Sequence, residues 1–178
     1  MDKVSDVLTK QYSLSDEFRE YIQNNITKSK CPNIEFLNFK NGLFGLSLHD
    51  GIILNEVLLK YPLPLCIFII LHELTHQLQF NKYGVDKMYL YLNDVSDDEV
   101  SEFILKQEIV ADRLASIKIS QLQNKGLISK DYIPIQIHKK ADPKLFKQRI
   151  VNYRNLMRGQ NVRTPDDVSC FFKTLIIY

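Results

Sequence analysis

Residues 63–80 read LPLCIFIILHELTHQLQF, and this stretch decides how the rest of the chain must be arranged. Its first half is apolar on every side, which is typical of a helix buried inside a domain. Its second half places two histidines, His72 and His76, on either side of Glu73. Because four residues make about one helical turn, both imidazoles project from the same face and can bind one metal ion.

The sequence His-Glu-x-x-His at residues 72–76 is a known zinc-binding pattern in which the glutamate accepts a proton from water. A chance match is the plain alternative, since the chain has four histidines. The buried helix weighs against chance, because an unpaired polar group in such a place costs roughly 1–3 kcal/mol. We therefore predict that His72 and His76 bind Zn²⁺ and that Glu73 is the catalytic general base.

A catalytic zinc site needs a third protein ligand and leaves the fourth position to water. Residues 108–115 read EIVADRLA within a second predicted helix. Glu108 and Asp112 are four residues apart and share one helix face, as do Ala111 and Ala115. The small side chains of the two alanines would let this helix approach the first one closely. A lone helical glutamate is usually a surface residue. A carboxylate at a helix contact, however, is costly unless it is paired or binds a cation, so Glu108 is the predicted third ligand.

The two motifs together resemble a known family. HELTH at 72–76 followed by EIVAD at 108–112 is similar to the gluzincin metallopeptidases. Within them the chain resembles the small minigluzincins and the catalytic core of the CAAX prenyl protease and heat-shock membrane protease families. The resemblance covers roughly residues 42–118. It implies that Asp112 hydrogen-bonds and orients His72, and that an extended substrate lies along strand 52–54 or its neighbour.

The chain also departs from related patterns. Gly51–Asn55, Pro62 and the apolar residues that lead into His72 resemble SprT-like and related minimal metallopeptidases. The SprT-like pattern takes its third ligand from a histidine soon after the motif, and here the next histidine is His138. The membrane families have spanning helices, whereas the longest apolar run here, Leu63–Leu71, is far below the roughly 20 residues required. No residue is a clear transition-state donor; the candidates are His138, Tyr132, Tyr153 and Arg154. For His138, beside two lysines, an ordinary surface histidine is the alternative.

Around these motifs the sequence predicts an α+β fold that starts with a short N-terminal antiparallel β-meander. Its strands cover 34–39, 43–48 and 52–54, with turns at Asn41-Gly42 and Asp50-Gly51. A helix over 15–27 precedes the meander. The zinc-binding active-site helix, the second ligand-bearing helix over 96–124 and C-terminal helices follow it. We predict one domain over 1–178, with a core of about 34–124 and a C-terminal helical extension of about 142–176.

Composition narrows the class of protein. Apolar residues make up 45% and charged residues 25%, which is typical of globular proteins. The three cysteines are widely spaced and the first residues lack the apolar stretch of a signal peptide, so we expect reduced thiols and a cytoplasmic location. The net charge of +2 argues against a protein that coats nucleic acid. Basic residues nevertheless line one side of a C-terminal helix, as a solvated face or as a docking surface for an acidic partner; they are Lys144, Lys147, Arg154 and Arg158.

The leading hypothesis is a zinc-dependent metallopeptidase that acts on peptide or protein substrates without inserting into membranes. One alternative is a regulatory or partner-binding zinc protein with little peptidase activity. Another is a nucleic-acid-associated protease positioned by its basic third. The intact Glu73 favours the first hypothesis over a purely structural site, which has no use for a general base.

Overall fold

The computed structural model describes residues 3–27, 33–40, 43–131 and 142–177. These residues are mostly helical and include a small mixed sheet. The helices are α1 Lys3–Tyr12, α2 Asp16–Ile22, α3 Leu63–Tyr83, α4 Val85–Met88, α5 Asp97–Asn124, α6 Pro143–Gly159 and α7 Pro165–Ile177, and the strands are β1 Asn33–Leu37, β2 Gly45–Leu48 and β3 Gly51–Asn55. Among these described helices, none is both long enough and apolar enough to cross a membrane.

The sheet corrects the predicted antiparallel meander. β2 and β3 pair antiparallel, close to the predicted turn at Asp50-Gly51, but β1 pairs in parallel with β3 and the strand order is β1-β3-β2. The reason lies in β3, whose five residues are all buried and whose side chains are apolar on both faces at Ile52, Ile53 and Leu54. Such a strand belongs in the centre of a sheet, with less buried strands at its edges. The other predicted turn, Asn41-Gly42, lies outside the described residues.

Polar side chains cap the starts of several helices. Ser15 Oγ accepts a hydrogen bond from the amide of Phe18 at 3.2 Å, and a π-helical turn at Gln23–Thr27 continues α2 over the predicted range. Ser96 and Glu99 form both bonds of a capping box at the start of α5. The side chain of Asp142 caps α6. Helix α1 was not predicted.

The apolar half of α3 lies in the main core, where α1, α2, β3 and the second half of α5 cover it. The side chains of this core include Leu8, Phe18, Ile22, Leu54, Ile67, Phe68, Ile70, Ile119 and Leu122. Helices α3 and α5 run antiparallel, because His72 contacts Asp112 while Tyr83, farther along α3, makes an edge-to-face contact with Phe103, earlier in α5. The second half of α3, which carries the motif, therefore lies against the first half of α5.

The basic face of α6 binds the acidic first turn of α5. Arg154 is 1% exposed; its guanidinium forms an ion pair with Asp97 and donates to the carbonyls of Asn93 and Val95. Nearby, Lys147 Nζ lies 2.5 Å from Asp98 Oδ1. Acidic residues at the start of α5 also suit the positive end of the helix dipole. Arg154 is thus neither on a solvated face nor on a docking surface for another molecule.

Side-chain hydrogen bonds and an ion pair connect helix α7 to the turn between β2 and β3. Lys173 Nζ lies 2.6 Å from Asp50 Oδ2, and Ser169 donates to the other oxygen of the same carboxylate at 3.2 Å. His49, in the same turn, lies 3.1 Å from Asp166. These contacts and those of α6 hold the two C-terminal helices over the part of α3 that carries the motif.

Candidate metal centre

His72, His76 and Glu108 come together between α3 and α5. His72 Nε2 lies 3.1 Å from His76 Nε2 and 3.3 Å from Glu108 Oε2, and His76 Nε2 lies 3.4 Å from Glu108 Oε1. Potential ligand atoms of all three residues lie within 4.8 Å of one another. Nitrogen and carboxylate oxygen atoms at these separations could hold a metal ion.

Each histidine is oriented by a hydrogen bond at Nδ1, the ring nitrogen that does not face the other candidate ligands. His72 Nδ1 lies 2.9 Å from Asp112 Oδ1, the contact that the family resemblance implies. A carboxylate accepts only, so Nδ1 carries the hydrogen and Nε2 can offer its lone pair to an ion. His76 Nδ1 lies 2.7 Å from Gln79 Oε1, which has the same effect. Such partners fix the tautomer and the ring orientation of metal-binding histidines.

Gln79 is a site residue that the sequence reasoning missed. Its side-chain amide donates to the carbonyl of Gln107 on α5 at 3.1 Å, which turns Oε1 toward His76. A signal was present in the sequence, because Gln79 follows His76 by three residues and therefore lies on the same face of the predicted helix. Gln77 was also missed; its amide donates to the carbonyl of Leu48 at 2.7 Å and ties α3 to β2.

Contacts among His72, His76 and Glu108 shift the pKa values of all three residues. Burial alone would lower the pKa of His72, but hydrogen bonds to Asp112 and Glu108 outweigh it and raise this pKa to about 10. The pKa of His76 is likewise raised, against the effect of burial, by Glu108. Burial would raise the pKa of Glu108, yet the two imidazoles hold it well below its usual value. Both imidazoles therefore bind protons beside the ionised Glu108 carboxylate, and a metal cation must displace these protons in order to bind there.

Glu73 lies next to this cluster, against the first residue of β2. It is 6% exposed. A Cβ atom built on Gly45 would come within 2.7 Å of Glu73 Oε1 and 2.8 Å of its Cγ, so only glycine leaves the carboxylate its present place. β2 is an edge strand of the sheet. The general-base candidate therefore lies between the metal centre and a strand edge that another extended chain could join.

A cavity of about 240 Å³ adjoins the centre, and His72, Glu73, His76 and Glu108 line one part of it. β2 contributes Leu46 and Ser47, and α5 contributes Phe103 and Ile104. The opposite wall comes from α6 and α7, through Phe146, Arg149, Ile150, Tyr153, Met157 and Phe172. Because a buried water needs roughly 10–15 Å³, the cavity has room for a ligand group as well as water.

Of the four candidate transition-state donors, the structure describes two, Tyr153 and Arg154. Tyr153 lines the cavity. Arg154 does not line the cavity, and its guanidinium forms an ion pair with Asp97. The prediction that Arg154 is a transition-state donor is therefore wrong. His138 and Tyr132 lie outside the described residues, so their part in the site stays a prediction.

Comparisons of the chain with protein-family models, with curated proteins and with solved structures found no match.

Proposed function

We propose that this protein is a zinc-dependent metallopeptidase. One observation carries the proposal: His72, His76 and Glu108 converge on one point at which Glu73 and an open cavity also meet. A structural zinc site is closed by four protein ligands, whereas a catalytic one has three and an open position. Three candidate ligands beside a cavity follow the catalytic arrangement.

The donor set supports zinc in particular. Two ligand atoms bound to one tetrahedral zinc at roughly 2.0–2.1 Å are roughly 3.3–3.4 Å apart. The two Nε2 atoms lie 3.1 Å apart, and each lies at a similar distance from one of the two Glu108 oxygens, His72 at 3.3 Å from Oε2 and His76 at 3.4 Å from Oε1. Two imidazoles and a carboxylate also form one of the known ligand sets of catalytic zinc.

The residues of the chain would divide the work as follows. His72, His76 and Glu108 hold the zinc ion, which when bound lowers the pKa of water to about 7 and polarises a carbonyl. Glu73 accepts a proton from the attacking water and returns it to the leaving amine. Gly45 leaves Glu73 in place, while Asp112 and Gln79 keep the imidazoles oriented.

The position of β2 supports an extended peptide as substrate. No other strand of the described residues pairs with its outer edge, and Gly45, Leu46 and Ser47 line the cavity beside Glu73. A peptide that adds to this edge would gain main-chain hydrogen bonds and bring a scissile bond close to Glu73. Unfolded segments can adopt this conformation, whereas the backbone of a folded domain is already paired.

Two measurements test the proposal. Elemental analysis of the purified protein should give about one zinc ion per chain, and a peptide library should be cleaved by this preparation. Removing zinc with a chelator should stop cleavage, and added zinc should restore it. Glu73→Gln should keep its zinc and lose roughly 10²–10⁴-fold in turnover, the usual size of a general-base contribution.

The matched control is Glu102→Gln, because Glu102 is an exposed residue of α5 whose carboxylate pairs with Lys106 at 2.7 Å. It should retain both zinc and turnover. A folded protein that stays metal-free after incubation with zinc would refute the proposal. Full turnover in Glu73→Gln would mean that another group is the base.

A further inference from the structure

One face of α6 looks into the cavity. Phe146, Arg149, Ile150, Tyr153 and Met157 all line it, and their spacing of three or four residues places them on one side of the helix. Four of these side chains are apolar or aromatic. Arg149 puts a permanent positive charge in the middle of this row, since a guanidinium stays protonated at any physiological pH.

Arg149 differs from the neighbouring cations of α6. Lys147 pairs with Asp98 and Arg154 with Asp97, so both serve the contact between α5 and α6. Within the described part of the chain, Arg149 forms no hydrogen bond or ion pair, and no other Lys or Arg lines the cavity. Its side chain is exposed, so the charge is solvated at the cavity mouth and available to a ligand.

The position of Arg149 favours an anion on the α6 side of the cavity. The carboxylates of the site, Glu73, Glu108 and Asp112, lie with the histidines around the candidate metal centre, where a divalent cation would offset most of their charge, whereas Arg149 lies on α6 with no carboxylate paired to it among the described residues. Apolar walls strengthen this effect because a low-dielectric surface focuses the field of the charge into the cavity. A planar guanidinium binds a carboxylate through two parallel hydrogen bonds.

We propose that Arg149 binds a carboxylate of the peptide substrate, so that the protein selects peptides with an acidic group close to the scissile bond. This rests on the proposed peptidase function. The carboxylate can be the free C-terminus of a short peptide or the side chain of an Asp or Glu. Phe103, Phe146 and Ile150 beside Arg149 would receive a large apolar side chain of the same peptide.

Binding to the zinc-loaded Glu73→Gln protein tests this without turnover. The probes are fluorescein-labelled heptapeptides of Gly and Ala with one central Phe. They form four matched versions, with a C-terminal acid or amide and with Glu or Gln next to the Phe. At least one acidic version should bind roughly 10-fold or more tightly than its neutral partner, as charge-assisted hydrogen bonds predict. If affinity differs only between the C-terminal acid and amide, the bound carboxylate is that of the chain end. If affinity differs only between the Glu and Gln peptides, it is that of a side chain.

Two further substitutions, each combined with Glu73→Gln, test whether Arg149 causes the preference for acidic peptides. Arg149→Gln should bind the acidic and neutral versions equally, with unchanged zinc content and circular dichroism. Arg158→Gln removes the same charge from an exposed position of the same helix outside the cavity, and it should keep the preference. Equal binding of all four peptides, no binding of any, or a preference that survives in Arg149→Gln would overturn the proposal.

The outcomes separate this inference from the proposed function. A wild-type protein that cleaves peptides without any preference for a carboxylate keeps the peptidase function and loses the role of Arg149. A protein that cleaves nothing, yet binds acidic peptides through Arg149, keeps the carboxylate site and loses the peptidase function.

Discussion

Asp112 and Glu108 hold opposite sides of one imidazole ring: Asp112 Oδ1 lies 2.9 Å from Nδ1 of His72, and Glu108 Oε2 lies 3.3 Å from its Nε2. Both come from α5, one turn apart. We expect Glu108→Ala to weaken zinc binding strongly because it removes a ligand and its charge. Asp112→Ala should weaken it less, by roughly 10–100-fold, because it removes only the orienting partner. Competition with a chromophoric chelator measures both affinities.

Other glutamates of α5 provide the controls for this series. Glu99 is engaged in the capping box with Ser96, and Glu102 pairs with Lys106. Ala at position 99 or 102 should leave zinc affinity nearly unchanged. If Glu102→Ala lost zinc while Glu108→Ala kept it, the assignment of the third ligand would be wrong.

Gly45→Ala tests the close approach of β2 to Glu73. The added methyl group would lie within 2.7–3.0 Å of three atoms of the Glu73 side chain, which can move away because its end is flexible. We expect normal stability and zinc content but a fall in turnover on the order of 10²-fold, since small displacements of a catalytic group are costly. Steady-state kinetics beside thermal unfolding measures both. Gly159→Ala, where a Cβ meets open space, should match the wild type.

Arg154 is expected to contribute more to stability than any other cation of α6. Arg154→Met leaves Asp97 and the carbonyls of Asn93 and Val95 without their partner. We expect the free energy of unfolding to fall by about 3 kcal/mol, near the lower end for buried pairs because Asp97 is partly exposed. Lys147→Met removes a more exposed pair and should cost less than about 1 kcal/mol. Equal losses in urea unfolding would contradict this ranking.

The contact between α7 and the β2–β3 turn should depend on pH. Partial burial raises the pKa of Asp50, but the bonds to Lys173 and Ser169 outweigh it, so this pKa lies below its ordinary value. A carboxyl group with a depressed folded-state pKa stabilises the fold above its unfolded pKa, near 3.9, and loses that effect as pH falls through the folded-state pKa. Asp50→Asn should therefore destabilise at pH 7, by less than about 1 kcal/mol because the pair is partly exposed.

Urea unfolding at pH 7, 5 and 3 measures this effect. The difference between Asp50→Asn and the wild type should be present at pH 7, shrink below pH 5 and become smallest at pH 3. Asp86→Asn, at an exposed position of α4, serves as the control and should show no such trend. A difference that grew toward low pH would contradict the assignment.

The residues of the candidate centre were predictable because their relationships are local. His72 and His76 are one helical turn apart, and so are Glu108 and Asp112, so each pair could be placed on a helix face from spacing alone. That the two faces meet was inferred from chemistry, since a buried helix needs partners for its polar residues. The predicted start of the second ligand-bearing helix at Ser96 followed from the same kind of short-range pattern.

The parts that were missed depend on contacts between distant residues. β1 could pair with either edge of the β2–β3 hairpin, and short apolar strands carry little information about which neighbour they choose. Arg154 and Asp97 are 57 positions apart, so the charge pattern of α6 alone could not show that its partner lies within the chain. Gly45 illustrates a weaker signal, because a glycine in a strand indicates a close approach without naming what approaches.

The order of the elements along the chain has a consequence for biosynthesis. The ligands of the candidate centre lie on α3 and α5, whereas the far wall of its cavity comes from α6 and α7. At ~5–20 residues per second, Phe172 is added roughly 3–13 s after Glu108. In a nascent chain the candidate ligands are thus open to solvent metal ions before the C-terminal helices fold over them. The same delay leaves the cavity without its α6 and α7 wall until synthesis has passed α7.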